Sequence, residues 1–413
     1  MRRGYKWVVL ALLSGAFFFH QADRALFGLL TIPIQADLHL SDLQIGWVNA
    51  ALFCTLAVAT PFAGLLGDRF SRKWIITLSL LFWSLMTACT GLVGGVVGLV
   101  FFRSVATGGG ESFYAPSAFA LLASHHRETR SVAFAVHQSA LYVGLMLSGT
   151  LVAGVLHALG GWRPVFFVFG GLGFLLGLVF CFALRDGHPK MPMAGAEPVR
   201  AAPPFRSSLR AYFCNPSALL ASVGFIAVVF ANNAYLCWAP KFVARKYGLS
   251  VGAAGSGTML YHHVAAFAAI MLGALLTDRL IVRHPRFRLV LQIAALVGGA
   301  PSLLLVGCAP SVAACWCAVV FYGVFRGLFE VNTHASLFDV IEPMHRASAE
   351  GLMTMAAFFV GSLSPLLIGA LSDRFGVRGF EIGFGILGIG YVFGAVALLV
   401  SFFFTFRRNR VEE

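Results

Sequence analysis

The chain has 413 residues; 59% are hydrophobic, only 11% are charged, and the formal net charge is +13. A soluble domain of this length carries about a quarter charged residues because its surface meets water, so lipid is the solvent for most of this surface. The Lys and Arg lie between apolar runs rather than on one face, which excludes a nucleic-acid partner. The eight Cys sit mostly in apolar runs without metal-ligand spacing, which gives no metal site and no disulfide framework.

Met1-Arg2-Arg3 and the run that follows imitate a secretory signal peptide. The apolar stretch continues past Asp23 to Pro33 with no small-residue cleavage site, so it reads as an uncleaved first span. Twelve spans are predicted, at roughly 7–33, 44–66, 74–92, 95–123, 131–157 and 164–184, then 217–238, 252–277, 288–308, 312–340, 349–372 and 381–406. Each is long enough for the ~30 Å hydrocarbon core, which takes about 20 helical residues. With the N-terminus inside, 21 Lys and Arg fall on inner segments and 6 on outer ones, so the positive-inside rule places both termini in the cytoplasm. The compact loops point to a bacterial inner membrane.

Residues 186–215 hold Pro189, Pro192, Pro198, Pro203 and Pro204 and read as a cytoplasmic linker between a bundle at 1–185 and another at 216–413. Phe205–Phe213 has the pattern of a short amphipathic surface helix. The halves echo each other: Gly160-Gly161-Trp162-Arg163 precedes the sixth span as Gly376-Val377-Arg378-Gly379 precedes the twelfth. Many transporters build alternating access on such internal repeats.

A charge in the hydrocarbon core costs a few kcal/mol or more, so each needs a partner or a job. Six lie well inside spans, away from their ends: Asp23, Arg24, Arg103, Glu111, Arg326 and Glu330. At 1.5 Å per residue, Asp23 lies ~15 Å and Arg103 ~12 Å below the outer ends of their helices, deep enough to meet near the midplane, with Glu111 deeper still. Arg103 is a bidentate donor suited to a carboxylate or phosphate. Burial favours the uncharged carboxyl, so Asp23 and Glu111 are candidate proton carriers. His20, three residues before Asp23, either tunes that site or serves as a plain hydrogen-bonded side chain. Arg326 and Glu330, at i and i+4, either satisfy each other or line a cavity. Tyr114, His137, Gln138, Tyr142, Asn232, Asn233 and Tyr235 are further candidate lining. Gly248 to Gly252 match the letters of a nucleophile elbow, but before a span Ser250 fits a helix N-cap, and no enzyme is expected.

Between the second and third spans stands Gly64-Leu65-Leu66-Gly67-Asp68-Arg69-Phe70-Ser71-Arg72-Lys73. It resembles the loop 2–3 signature of the major facilitator superfamily, with Thr277-Asp278-Arg279 as a weaker echo in the second half. The resemblance covers essentially the whole chain and implies an all-α membrane protein of two six-helix bundles. Asp23-Arg24, Phe82-Trp83-Ser84-Leu85, Arg103 with Glu111, and the run Leu236 to Phe242 resemble two groups: anion:cation symporters for organic anions, and spinster-like lysolipid transporters. The resemblance implies proton-coupled transport of an organic anion, with a spinster-like lysolipid or sphingolipid transporter as the alternative. Asp23 and Glu111 would carry protons, and Arg103, Arg24 and His20 would hold substrate. Gly64, Asp68, Arg69, Arg72, Asp278 and Arg279 would form a latch that breaks as the halves rock. The proton is the coupling ion, no cofactor is implied, and a monomer in membrane lipid is expected, with a small-molecule or lipid substrate.

One departure stands out. The resembled groups separate the Arg and the Glu by seven residues, whereas Arg103 and Glu111 are eight apart. Seven residues return side chains to within ~20° on an α-helix, but eight leave them ~80° apart. Gly108-Gly109-Gly110 is the expected place for a bulge that restores alignment.

Overall fold

The computed structural model describes residues 4–126, 129–186 and 205–411, and every regular element there is helical. The expected linker lies largely in the stretch between the last two segments, outside the described residues.

The first predicted span is two helices, α1 (Tyr5–Leu29) and α2 (Thr31–Leu38). Pro33 has no N–H to offer the Leu29 carbonyl, so the helical ladder is interrupted and Leu30 takes a non-helical conformation. α3 (Asp42–Arg69) opens with a reciprocal cap: Gln44 N donates to Ser41 Oγ at 3.2 Å, and Ser41 N donates to Gln44 Oε1 at 2.9 Å. Ser71 caps α4 (Arg72–Thr90) by accepting from Trp74 N.

The fourth predicted span is broken into α5 (Val96–Gly98), a wide π-helical stretch (Leu99–Ala106), α6 (Thr107–Glu111) and α7 (Tyr114–His125). α8 (Arg130–Leu159) packs along α1, and α9 (Arg163–Ala183) along α4. Then follow α10 (Phe205–Phe213), α11 (Pro216–Tyr247), α12 (Val251–Leu280), α13 (Phe287–Cys308), α14 (Val312–Glu330) and α15 (Thr333–Phe338). The chain closes with α16 (Arg346–Gly361), α17 (Leu363–Phe375), α18 (Val377–Val400), a second wide stretch (Ser401–Thr405) and α19 (Phe406–Asn409). Ser250 does cap α12, accepting from Ala253 N at 3.2 Å.

Among the described residues, ten helices are long and apolar enough to cross a membrane. The first and fourth predicted spans are the two that miss this measure, and they hold Asp23, Arg24, Arg103 and Glu111. The helices sort into two compact units, Met1–Pro192 with Leu236–Leu260, and Met193–Tyr235 with Tyr261–Glu413.

Each unit contains the same helix pair. In the first, α9 lies on α4 so closely that a Cβ on Gly170 would sit 2.6 Å from Ala88 N and Ser84 O. In the second, α18 lies on α13, and a Cβ on Gly388 would sit 2.8 Å from Ala300 O. Without a hydrophobic driving force between helices in lipid, small residues that admit close backbone approach supply the packing. The sequence echo before α9 and α18 is structural too: Gly160 and Gly376 both turn the chain at positive φ, 66° and 60°.

Candidate functional site

The wide turn decides the site's geometry. Leu99–Ala106 is π-helical, and Thr107 Oγ1 bonds Phe102 O at 2.7 Å, five residues back. One extra residue is therefore absorbed between Arg103 and Glu111, which offsets the eight-residue spacing and brings both to one cluster. The bulge falls at Leu99–Ala106, not at Gly108-Gly109-Gly110 as expected; those glycines lie in the regular helix α6, where Gly110 packs against Phe82 and Trp83.

Five titratable side chains from α1, the wide turn and α6 meet there. His20, Asp23, Arg103 and Glu111 are all at most 3% exposed, and Arg24 is partly buried. Asp23 and Arg103 do come together, but not as carboxylate and guanidinium. Arg103 Nη2 donates to the main-chain carbonyls of Asp23 (2.9 Å) and Arg24 (3.3 Å). The Asp23 carboxylate instead accepts from Thr87 Oγ1 at 3.3 Å. The ion pair belongs to Arg24, whose Nε donates to Glu111 Oε2 at 2.9 Å, with His20 Nε2 3.8 Å from the same oxygen. Asp23 Oδ1, Arg103 Nε and Nη1, Glu111 Oε1 and His20 Nε2 are buried with no hydrogen-bond partner among the described residues. Buried polar atoms are usually satisfied, and here five open donors and acceptors gather in one cluster.

Aromatic packing holds His20 in position. Its ring lies 5.5 Å from Trp83, 5.7 Å from Phe17 and 5.8 Å from Tyr114. Tyr114 Oη donates to Leu13 O at 2.5 Å and is 3.2 Å from His137 Nε2, while His137 stacks on Phe17 at 4.5 Å. Tyr114 and His137 thus sit in the core of this unit, behind the charges. Tyr142 is also buried, whereas Gln138 is exposed.

The second unit carries its own polar cluster. Arg326 Nη2 pairs with Glu330 at 2.9 Å, and its Nη1 is 3.5 Å from His262 Nε2. The His262 ring lies 4.6 Å from Tyr235 and 4.7 Å from Tyr322. Asn233 is buried and Asn232 half-buried. Sequence reasoning missed Tyr322 and Tyr391, which are buried aromatics inside apolar runs and carry no pattern of their own.

Lys241, one of the six basic residues counted on outer segments, follows the predicted span 217–238 in sequence but is not in a loop. Lys241 lies inside α11, wholly buried, paired with Asp42 and donating to Gln35 Oε1; Gln35 Nε2 in turn donates to Asp42 Oδ1 at 2.6 Å. The usable signal was the Trp238 to Phe242 run, where a Lys interrupts a buried apolar face.

Of the expected latch, Arg72 Nη1 donates to Ala120 O at 3.2 Å, and Asp278 and Arg279 are exposed. Gly64, Asp68 and Arg69 lie on the last turns of α3, and the side chains of Asp68 and Arg69 are outside what the structure describes.

Apolar helices of membrane-crossing length, with charged clusters buried on a few of them, define a polytopic membrane protein. The family model for the Major Facilitator Superfamily matches residues 12–365, and the chain belongs to that superfamily. Human protein spinster homolog 1 is 26% identical over 395 residues, covering 90% of this chain and 74% of the human protein. The crystal structure of a bacterial homologue of the human lysosomal transporter Spinster, inward-facing and occupied, superposes with a TM-score of 0.87 at 19% identity, covering 99% of each chain. The nucleoside transporter NupG follows the same fold, with a TM-score of 0.75 at 13% identity over 96% of this chain and 99% of NupG.

Proposed function

We propose that this protein is a proton-coupled secondary transporter of the spinster-like type, moving an amphipathic organic anion by alternating access. The observation that carries this reading is the buried set of Asp23, Arg24, Arg103 and Glu111 with its open polar atoms. Two carboxylates and two guanidiniums balance. A proton taken up on Asp23 or Glu111 leaves one positive charge in surplus, in a medium where an uncompensated charge is costly. An anionic substrate group cancels it, and the open Nε and Nη1 of Arg103 each offer an N–H to a carboxylate or phosphate oxygen. Proton and anion therefore stabilise each other's binding, which is the thermodynamic content of symport.

The extended similarity to spinster proteins favours a lysolipid or sphingolipid over a small sugar acid, and the aromatic wall of Phe17, Trp83 and Tyr114 behind the charges accords with that choice. The same reading includes twelve spans in two six-helix bundles (1–185 and 216–413), a cytoplasmic linker, both termini in the cytoplasm of a bacterial inner membrane, and the Asp68 and Asp278 latch.

Proteoliposomes test the proposal. An inward proton gradient is expected to drive uptake of a lysophospholipid, and Asp23→Asn, Glu111→Gln and Arg103→Ala are each expected to abolish gradient-driven uptake. Uptake indifferent to the gradient overturns proton coupling. Gradient-driven uptake of sugar acids but not of lysolipids overturns the substrate class.

A further inference from the structure

At the arginine-rich end of the second unit, the turn after α12, the start of α13 and the end of the chain enclose a cavity of about 650 Å³. Arg283, Arg286, Arg407 and Arg410 line it together with Phe402 and Phe406, and no carboxylate does among the described residues. Asp339, which feels Arg410, is already paired with Arg288. Four guanidiniums around one cavity repel each other, and a scatter of charges that only set topology has no reason to converge.

The backbone is shaped for the cavity. The wide stretch Ser401–Thr405 turns Phe402 inward, where the Arg286 guanidinium lies 5.0 Å above its ring. The neighbouring Phe403 and Phe404 point outward, 68% and 77% exposed. Wide turns of this kind recur at functional sites. Here one side of the turn leaves phenyl rings exposed while the other holds a guanidinium plane. Arg286 also precedes α13, a 22-residue helix whose first amides add partial positive charge. The cavity sits where α18 ends its apolar run and the basic residues begin.

We propose that this cavity is a binding site for an anionic phospholipid of the adjacent leaflet. Its phosphate occupies the arginine cluster, and its acyl chains run along Phe403 and Phe404. Arginine forks match phosphate oxygens two at a time, and basic pockets beside membrane helices are suited to such headgroups. The site lies in the second unit and is independent of the substrate cluster around Arg103.

The test uses the full chain in nanodiscs of equal phosphatidylglycerol and phosphatidylcholine, with retained lipids counted by native mass spectrometry. Wild type is expected to keep phosphatidylglycerol selectively. Arg286→Gln with Arg407→Gln is expected to lose that preference by roughly tenfold. The control Arg206→Gln with Arg210→Gln removes the same charge from exposed positions on α10 and is expected to keep it. An equal loss in the control, or equal retention of both lipids by wild type, overturns the proposal. Displacement of the retained lipid by millimolar inorganic phosphate assigns the cavity to a free anion and overturns it as well. Melting in pure phosphatidylcholine, expected to be the same for wild type and variant, separates lost binding from lost folding. A double variant that melts early is replaced by the exposed Arg407→Gln alone.

Discussion

Replacing Lys241 with Met leaves the Asp42 carboxylate buried without its main partner. Lys241 is 1% exposed and Asp42 4%, so water cannot easily take over. Breaking a buried pair in this way costs about 3–5 kcal/mol, whereas removing both charges is often neutral. Two features pull the value to the lower end. Gln35 Nε2 still donates to Asp42, and Arg245 Nη1 stands 3.9 Å from the other carboxylate oxygen on a half-exposed side chain. The expectation is therefore a loss of about 3 kcal/mol, roughly a hundredfold in the unfolding equilibrium. Lys241→Met with Asp42→Leu should return to within about 1 kcal/mol of wild type. The assay is equilibrium unfolding of wild type, both single variants and the double variant in one detergent, read as a double-mutant cycle. If Lys241→Met unfolds at the wild-type midpoint, or if the double variant loses the sum of the singles, the pair is not a coupled buried unit and the reasoning fails.

Deleting Val105, an exposed residue in the wide turn, shortens the Arg103 to Glu111 spacing to seven. It should relax that turn to an α-helix with substrate binding retained, and loss of binding with the fold intact would show that the wide turn does more than correct register. Gly170→Ala should destabilise by about 1–3 kcal/mol because its Cβ meets the α4 backbone, while Gly171→Ala, with nothing within 4 Å, should be neutral or slightly stabilising in thermal unfolding. His126, beyond the end of α7, has its pKa lowered by burial, with Nε2 donating to Lys6 O at 2.8 Å. Folding there favours the neutral ring, so this contribution is complete above pH ~6.5 and is lost as pH falls from that value through the lowered pKa. His126→Gln should flatten that acid limb of a melting-temperature profile.

Much of the architecture is legible in the sequence because lipid is an unforgiving solvent: apolar runs of spanning length, basic loops and a loop signature leave few alternatives. The six charges inside those runs stood out for the same reason, and the structure does gather Asp23, Arg24, Arg103 and Glu111 into one cluster while pairing Arg326 with Glu330. Partner choice was not legible. Helical spacing gives a residue's depth and face but not whether a guanidinium takes a carboxylate or a carbonyl, so Arg103 settles on main-chain oxygens and Arg24 takes Glu111.

The bulge illustrates the same limit. The eight-residue spacing demanded an extra residue somewhere, and the glycine triplet was the obvious host by backbone freedom. Packing decided otherwise, because Gly110 is needed small against Phe82 and Trp83, and the helix widens one turn earlier. Lys241 shows the converse error: its charge alone reads as loop, and only the chain's return past Asp42 and Gln35 makes its burial tolerable. The sequence by itself determined which segments are apolar runs and which charges within them must find partners. Tertiary structure alone decided which partners they found, because a buried charge is stabilised by atoms from distant helices, and their placement depends on the packing of the whole unit.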